Sequence, residues 1–274
     1  MGTRKASREA TGLIHPQKGD TIMSHKSIDE IRSYIANLEI PEAAGLPTVS
    51  RKGAAAVLDD RESADIDAGS LVSFVGGVSG LHKSDVLNST LLAQLAASKK
   101  FDRYTQTEDW YKFYTDVLAN VGWVMPSFVF RKYEPSGDSL VLSDAILQIL
   151  TAITTGDELE VLKAALSGLR DNQNNEGPLT LFDQESFPET IGTFQLFPVS
   201  MDRGDVVMAL AAMQFRSDTH VNRFLWFTWK STSVKLFQSA QKGVLNEDIY
   251  SRIRQDIIDK LGNNAETFIK TLEI

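Results

Sequence analysis

The residues of this chain that come nearest to a chemical motif are Gly77-Val-Ser-Gly80-Leu-His82-Lys83-Ser84. A phosphate-binding loop ends on Gly-Lys-Ser/Thr because its backbone N–H groups must wrap the phosphates, its ammonium pairs with them, and its hydroxyl reaches magnesium. Gly77, Gly80, Lys83 and Ser84 match that pattern. His82 occupies the place of the second glycine, where a β-carbon obstructs the wrap. No apolar strand ending in Asp stands out as the magnesium-side partner. A loop leading into a helix accounts for the same residues without chemistry. Leu81 also stands where a nucleophile elbow needs its last glycine.

The other candidates are weaker. Asp65-Ile-Asp67-Ala-Gly69 opens like a calcium loop, but Ser70 and Gly76 fall where the glycine turn and the bidentate glutamate belong. The polar run 171–177 lacks both features too. His15, His25, His82 and His220 include no pair at the helical spacing of a zinc site, and only His82 and His220 are placed so that the fold could bring them together. Glu108 and Asp109 suit a helix start, where the dipole stabilises them. Asp183 and Glu185 could form a carboxylate pair beside a strand end. The pattern assigns no catalytic residue, no metal ligand and no cofactor. Trp226, Trp229 and His220 remain as ligand or interface candidates, with core packing the simpler role for the aromatics.

The chain has 274 residues, 42% of them hydrophobic, with a formal net charge of −8 and no cysteine. That length buries one sizeable core or two smaller ones. Disulfides, thiol catalysis and thiolate metal sites are excluded. The acidic balance, with no Lys/Arg cluster beyond two adjacent residues, argues against nucleic acid and anionic membranes as partners of the chain as a whole. No stretch approaches the ~20 apolar residues of a membrane-spanning helix.

Three β-runs over residues 193–243 form the centre. Residues 206–215 carry one polar side chain, Gln214, and follow Asp202-Arg-Gly204-Asp205, a tight-turn sequence; strand is the reading, with helix competing over Val206–Met213 because Ala and Met are poor strand formers. Phe224 to Trp229 is apolar at odd and even positions, which predicts a strand covered on both faces. Short connections favour an antiparallel meander. Helices are predicted over 27–39, opened by the capping box of Ser27 and Glu30, over 85–98, over 107–121, from Ser143, after Gly156 and from Asn246. Hairpin arms are expected at 127–133 and 139–142, a short strand at 179–182 and an amphipathic tail at 265–272. The fold class is α+β: central helices, then an antiparallel β-meander packed against helices, with a C-terminal helix.

Residues 1–22 are expected to be a leader outside the native protein, because Lys18-Gly-Asp20 back-translates to a purine-rich ribosome-binding sequence before Met23. Residues 23–70 are expected to be an arm with one amphipathic helix and a linker, and 71–274 a single domain. The start lacks the apolar core of a secretory signal, so synthesis in the cytoplasm and release without such a signal are the expectation. The absence of catalytic spacing favours a non-enzymatic binding or self-assembling protein with a protein or membrane partner. Its narrower form is a membrane-active, toxin-like protein, since residues 231–241 mix small polar and apolar side chains as membrane-inserting hairpins do. Lys230 and Lys235 stand against a lipid-facing role. The second functional reading is a nucleotide-dependent enzyme using the loop at 77–84.

Overall fold

Residues 206–213 carry no polar side chain and leave no face for water, and a strand sealed on both sides is the structure that satisfies them. In the computed structural model, which describes residues 26–42, 60–126 and 129–274, that strand lies inside a mixed sheet between two helical layers. The expected leader, Met23, His15 and His25 lie outside the described residues.

In chain order the elements are α1 (Ile28–Asn37), β1 (Ser63–Asp67), β2 (Ser70–Phe74), α2 (Gly80–Lys100), α3 (Thr107–Asn120), β3 (Trp123–Val124), β4 (Arg131–Tyr133) and β5 (Ser139–Val141). There follow α4 (Leu142–Thr151), α5 (Gly156–Asp171), α6 (Glu176–Ser186), β6 (Ile191–Asp202), β7 (Asp205–Ser217), β8 (Thr228–Lys230) and β9 (Val234–Leu245). The chain closes with α7 (Glu247–Leu261), α8 (Asn264–Phe268) and β10 (Ile269–Leu272).

The main sheet runs β10-β1-β2-β6-β7-β9-β3, with β4 also on β9. The β2–β6 pair is parallel and the others are antiparallel. Its heart is β6, β7 and β9, strands of 12, 13 and 12 residues. The expected turn joins β6 to β7 through Arg203 and Gly204, at φ 53° and 97°. Two left-handed residues in succession match the twist of the flanking strands.

Each face has its own core. Phe74, Phe197, Val199, Met208 and Leu210 pack against α1, α2, α3 and α7 through Ile35, Leu91, Tyr114 and Ile257. Leu71, Leu196, Ala211, Met213 and Phe215 pack against α4, α5 and α6 through Ile146, Leu166 and Phe182. Helix α1 is fastened to α7: Arg32 donates to Asp256 at 3.3 Å and to the Arg252 carbonyl at 3.0 Å.

Several local expectations differ from the structure. The run from Phe224 is a 3₁₀ turn over Phe224–Trp226 followed by the short β8, which pairs with β5 outside the main sheet. Its two-sided apolarity serves a plug, with Phe224 stacked 5.3 Å from Phe215 while Phe227 stays 43% exposed. Residues 179–182 lie in α6, where Leu179, Phe182 and Ser186 fall on one buried helical face and Pro178 sits in the tolerant first turn. The two expected hairpin arms do not pair with each other: β4 joins β9 and β5 joins β8. The acidic end of the expected linker is β1, and the boundary at residue 70 falls inside the β1–β2 hairpin. The expected tail is α8 plus β10, which closes the sheet beyond β1.

Gly192 tests the tightness of the second core. A β-carbon there would stand 2.0 Å from the Phe215 ring, which is fully buried among Phe187, Phe194, Phe224 and Trp229. Gly192→Ala is expected to lower unfolding stability in urea by about 1–3 kcal/mol, the usual cost of overpacking. Gly156→Ala, with nothing within 4 Å of the added carbon, leaves it nearly unchanged.

Candidate functional site

Register, rather than sequence proximity, assembles the most unusual feature of the molecule. Asp67 pairs with Ser70 across the β1–β2 hairpin, Ser70 with Gln195 of β6, Gln195 with Ala212 of β7, and Ala212 with Ser239 of β9. Directly opposed residues project from the same side of a sheet. Four polar side chains therefore cross five strands in one row on the face covered by α2. Asp67, Ser70 and Gln195 are wholly buried and Ser239 is 6% exposed. The next row on the opposite face is Ile66, Leu71, Leu196, Ala211 and Ala240. Along this one row the sheet is polar on one side and apolar on the other, while the neighbouring rows on the polar row's own face carry Phe74, Phe197, Met208 and Leu210.

The covering helices supply partners for the polar row. Thr90 Oγ1 lies 2.6 Å from Asp67 Oδ2, and Gln94 donates to the Asp67 carbonyl at 3.0 Å. Ser70 donates to Gln195 Oε1 at 2.9 Å, and the Arg103 guanidinium reaches the same oxygen at 2.5 Å while stacking 4.7 Å over Trp110. Gln214 donates to Thr107 at 2.6 Å. One residue pair away, Asp65 accepts from Thr271 at 2.8 Å. Satisfaction is incomplete: Asp65 Oδ2, Asp67 Oδ1, Gln94 Oε1, Gln195 Nε2 and Arg103 Nε are buried without a hydrogen-bond partner among the described residues.

Burial governs the charge of these acids. It pushes the Asp65 carboxyl up to about 6, with the Thr271 hydroxyl and Lys83 pulling the other way. It pushes the Asp67 carboxyl up to about 8, opposed chiefly by the Thr90 hydroxyl. The geometry suits a neutral Asp67. Thr90 has one hydroxyl proton, and the Val86 carbonyl stands 2.8 Å away to receive it. A protonated Asp67 can then donate to Thr90 Oγ1, so that each proton in the chain finds an acceptor.

The residues singled out from the sequence fall elsewhere. Gly77 is in a turn at φ 94°, and Gly80 is the first residue of α2 behind the cap Ser79. Lys83 is 1% exposed and its ammonium donates to the Arg61 carbonyl at 2.5 Å, while Ser84 donates to the Gly80 carbonyl at 3.1 Å. Neither points into a shared phosphate cradle. Trp229 is buried against Phe187 and Phe215 and donates to the Phe224 carbonyl at 3.3 Å. His220 lies 5.0 Å from the same Phe187 ring with its Nε2 2.9 Å from the Phe187 carbonyl. Trp226 lines a shallow hollow of 240 Å³ with Leu147, Lys163 and Arg170. Asp183 and Glu185 lie on α6, where Asp183 accepts from the Arg223 N–H at 2.8 Å.

Two further places could hold a ligand. A 710 Å³ cleft opens where β9 meets β4 and α4, lined by Arg131, Tyr133, Gln148, Ile149, Ile153 and Gln241 among others. His82, Asp85 and Glu247 form the one His/Asp/Glu cluster of metal-binding dimensions among the described residues, their ligand atoms within 4.8 Å of one another. No helix among the described residues is long and apolar enough to cross a membrane.

No family model matches the chain, and no curated protein matches it in sequence. Among solved structures it is similar to a delta-endotoxin at 12% identity and TM-score 0.41, over 76% of this chain and 88% of that one. It is similar to the Evf virulence factor at 10% identity and TM-score 0.39, over 85% and 88%. The activated Cyt2Ba monomer from Bacillus thuringiensis subsp. israelensis is similar at 10% identity and TM-score 0.29, over 45% and 72%. Likenesses this distant are similarities of general shape.

The polar row has a pH signature of definite sign. The folded pKa values of Asp65 and Asp67 lie above the ordinary 3.8, so the native state binds more protons than the unfolded chain between those values. The contribution of each acid to stability is present at low pH and is lost as pH rises through about 6 and then about 8. One such group changes stability by at most about 1.4 kcal/mol per pH unit. Asp67→Asn is expected to flatten the decline between pH ~6 and ~8 and to be relatively more stable than wild type at the alkaline end. Urea titrations of both proteins across that range check it.

Proposed function

We propose that this chain is a non-enzymatic, self-assembling protein that acts on membranes by presenting its central sheet. The observation that carries this reading is the pair of opposed rows: Asp67, Ser70, Gln195 and Ser239 on one face, Ile66, Leu71, Leu196, Ala211 and Ala240 on the other. A sheet that lies in a bilayer as part of a barrel needs one apolar face for lipid and one polar face for a wet lumen. A sheet buried in a soluble protein has no such need, and polar atoms placed there cost about 1–3 kcal/mol each when left unpaired.

Strand length and edge chemistry agree with this reading. A tilted membrane strand needs about 9–11 residues, and β6, β7 and β9 have 12, 13 and 12. Lys235, awkward for a lipid-facing role, opposes Arg216 on the polar face, and Lys230 belongs to β8 outside the main sheet. Gln238 and Lys242 are the polar exceptions on the lipid-side face of β9. Lys242 leans 3.7 Å toward the buried Glu158, which Ser200 also contacts. Between the segments paired to β4 and β3, residues 239–243 of β9 have no second partner strand among the described residues. An open edge of that kind is a site for a strand from another copy. The nucleotide-enzyme alternative draws no support from the buried Lys83.

The absence of cysteine makes a lock practical. Asp67→Cys combined with Thr90→Cys joins the sheet to α2 at a point where the native side chains meet at 2.6 Å. Wild type and the reduced double variant are expected to release dye from liposomes and to form multi-copy particles by light scattering. The oxidised double variant retains the dye until thiol is added. Equal release by the oxidised form would show that the helical cover does not have to open. A strict monomer that leaves liposomes intact at micromolar concentration would overturn the proposal.

A further inference from the structure

Beyond the sheet, the junction of α2 with α7 carries an arrangement that the fold does not require. Asp85 is wholly buried on the second turn of α2, and Arg254 of α7 grips both its oxygens, at 2.7 and 2.8 Å. Arg254 also donates to Glu247 Oε1 at 2.7 Å. The other Glu247 oxygen, Oε2, is buried without a hydrogen-bond partner among the described residues. His82, one turn before Asp85, presents Nε2 at 3.9 Å from that Oε2, and its Nδ1 is likewise buried and unpartnered.

We propose that His82, Asp85 and Glu247 form a site for a divalent transition-metal ion, with zinc the best match. One imidazole and two carboxylates suit zinc, and three protein ligands with an open fourth position is a common zinc arrangement. Bonds of 2.0–2.1 Å to tetrahedral ligands set the ligand atoms about 3.3 Å apart. The observed separations of up to 4.8 Å are closed by modest side-chain rotation. Glu247 can supply it, since its side chain is 44% exposed on the first turn of α7. Arg254 does not preclude the ion. It engages Asp85 Oδ1 and Oδ2 and Glu247 Oε1, leaving Oε2 and the imidazole, and each carboxylate oxygen has a second lone pair. Two carboxylates and one guanidinium give the cluster one net negative charge, which a divalent ion offsets.

A bound ion would clamp the N-terminus of α2 to that of α7, two helices of the same covering layer. The site stands whether or not the sheet acts on membranes.

Isothermal titration of the full chain with zinc chloride, in buffer without chelating components, tests the assignment. Wild type is expected to bind one ion, His82→Ala and Glu247→Gln to bind it at least about tenfold more weakly, and His220→Ala to match wild type. Thermal melts of the apo variants establish that they fold. Should either variant fail that check, histidine-ring NMR of the wild type decides, with the His82 ring signals moving on zinc addition. Cobalt in place of zinc is expected to give the visible absorption of a four-coordinate site. Equal zinc affinity in wild type and His82→Ala, no zinc binding by wild type, or an unmoved His82 ring would each overturn the proposal.

Discussion

The interaction on which the rest of the structure depends is the contact of Asp67 with Thr90, at one end of a polar row that has almost no access to water. Burying a carboxyl group is costly unless it is neutralised or fully hydrogen-bonded. Around Asp67 the chain does some of both. Burial keeps the acid protonated to about pH 8, Gln94 takes the backbone carbonyl, and Arg103 reaches over from the α2–α3 connection to Gln195. Each partner belongs to the helical layer, so that layer is held to this face of the sheet through polar groups as well as through Phe74, Phe197 and Met208. The other face has almost none of this. There Leu71, Leu196, Ala211 and Met213 meet α4, α5 and α6 through apolar contact.

This asymmetry sets where the proposed opening would run. Whole-domain stability is typically ~5–15 kcal/mol, so several incompletely paired buried atoms at ~1–3 kcal/mol each are a substantial fraction. They are concentrated under α2 and α3. The sheet itself has continuous ladders from β2 through β9, which do not depend on the helices. A layer that separates along the polar row would leave an intact sheet whose uncovered face carries that row beside Phe74, Phe197 and Met208. The junction of His82, Asp85, Glu247 and Arg254 sits at the end of the same layer, where α2 meets α7, and governs how firmly those two helices stay together.

Much of this fold was legible in the sequence, and the parts that were not share a cause. Capping at Ser27 and Asn246, the stripe of α3 and the turn at Arg203 and Gly204 are local signals, and each appears where its residues place it. The long strand β7 is expected from its apolar run and the turn before it, with helix the competing reading because of its Ala and Met residues. What stayed hidden was set by tertiary partners. Ser63 to Asp67 alternates polar and apolar residues as a strand does, yet its carboxylates read as the opening of an incomplete calcium loop until the register places them under α2. Phe224 to Trp229 has the composition of a buried strand, but the fold uses it as a plug over Phe215 and Phe182. The polar row could not be read in advance, because Ser70 and Gln195 meet across 125 residues of chain. His82 lacks a histidine partner at helical spacing, and although Asp85 lies one turn on in α2, Glu247 joins them from α7, far along the chain.

The central claim is that the helical layer over the polar row opens while the sheet remains paired. Amide hydrogen exchange with and without liposomes measures this directly, because ladder and helix amides report their own opening. On liposomes that are releasing dye, α2, α3 and α7 should lose protection while β6, β7 and β9 keep theirs. Dye release with the protection of α2, α3 and α7 unchanged, or with the ladders of β6, β7 and β9 lost, would contradict it.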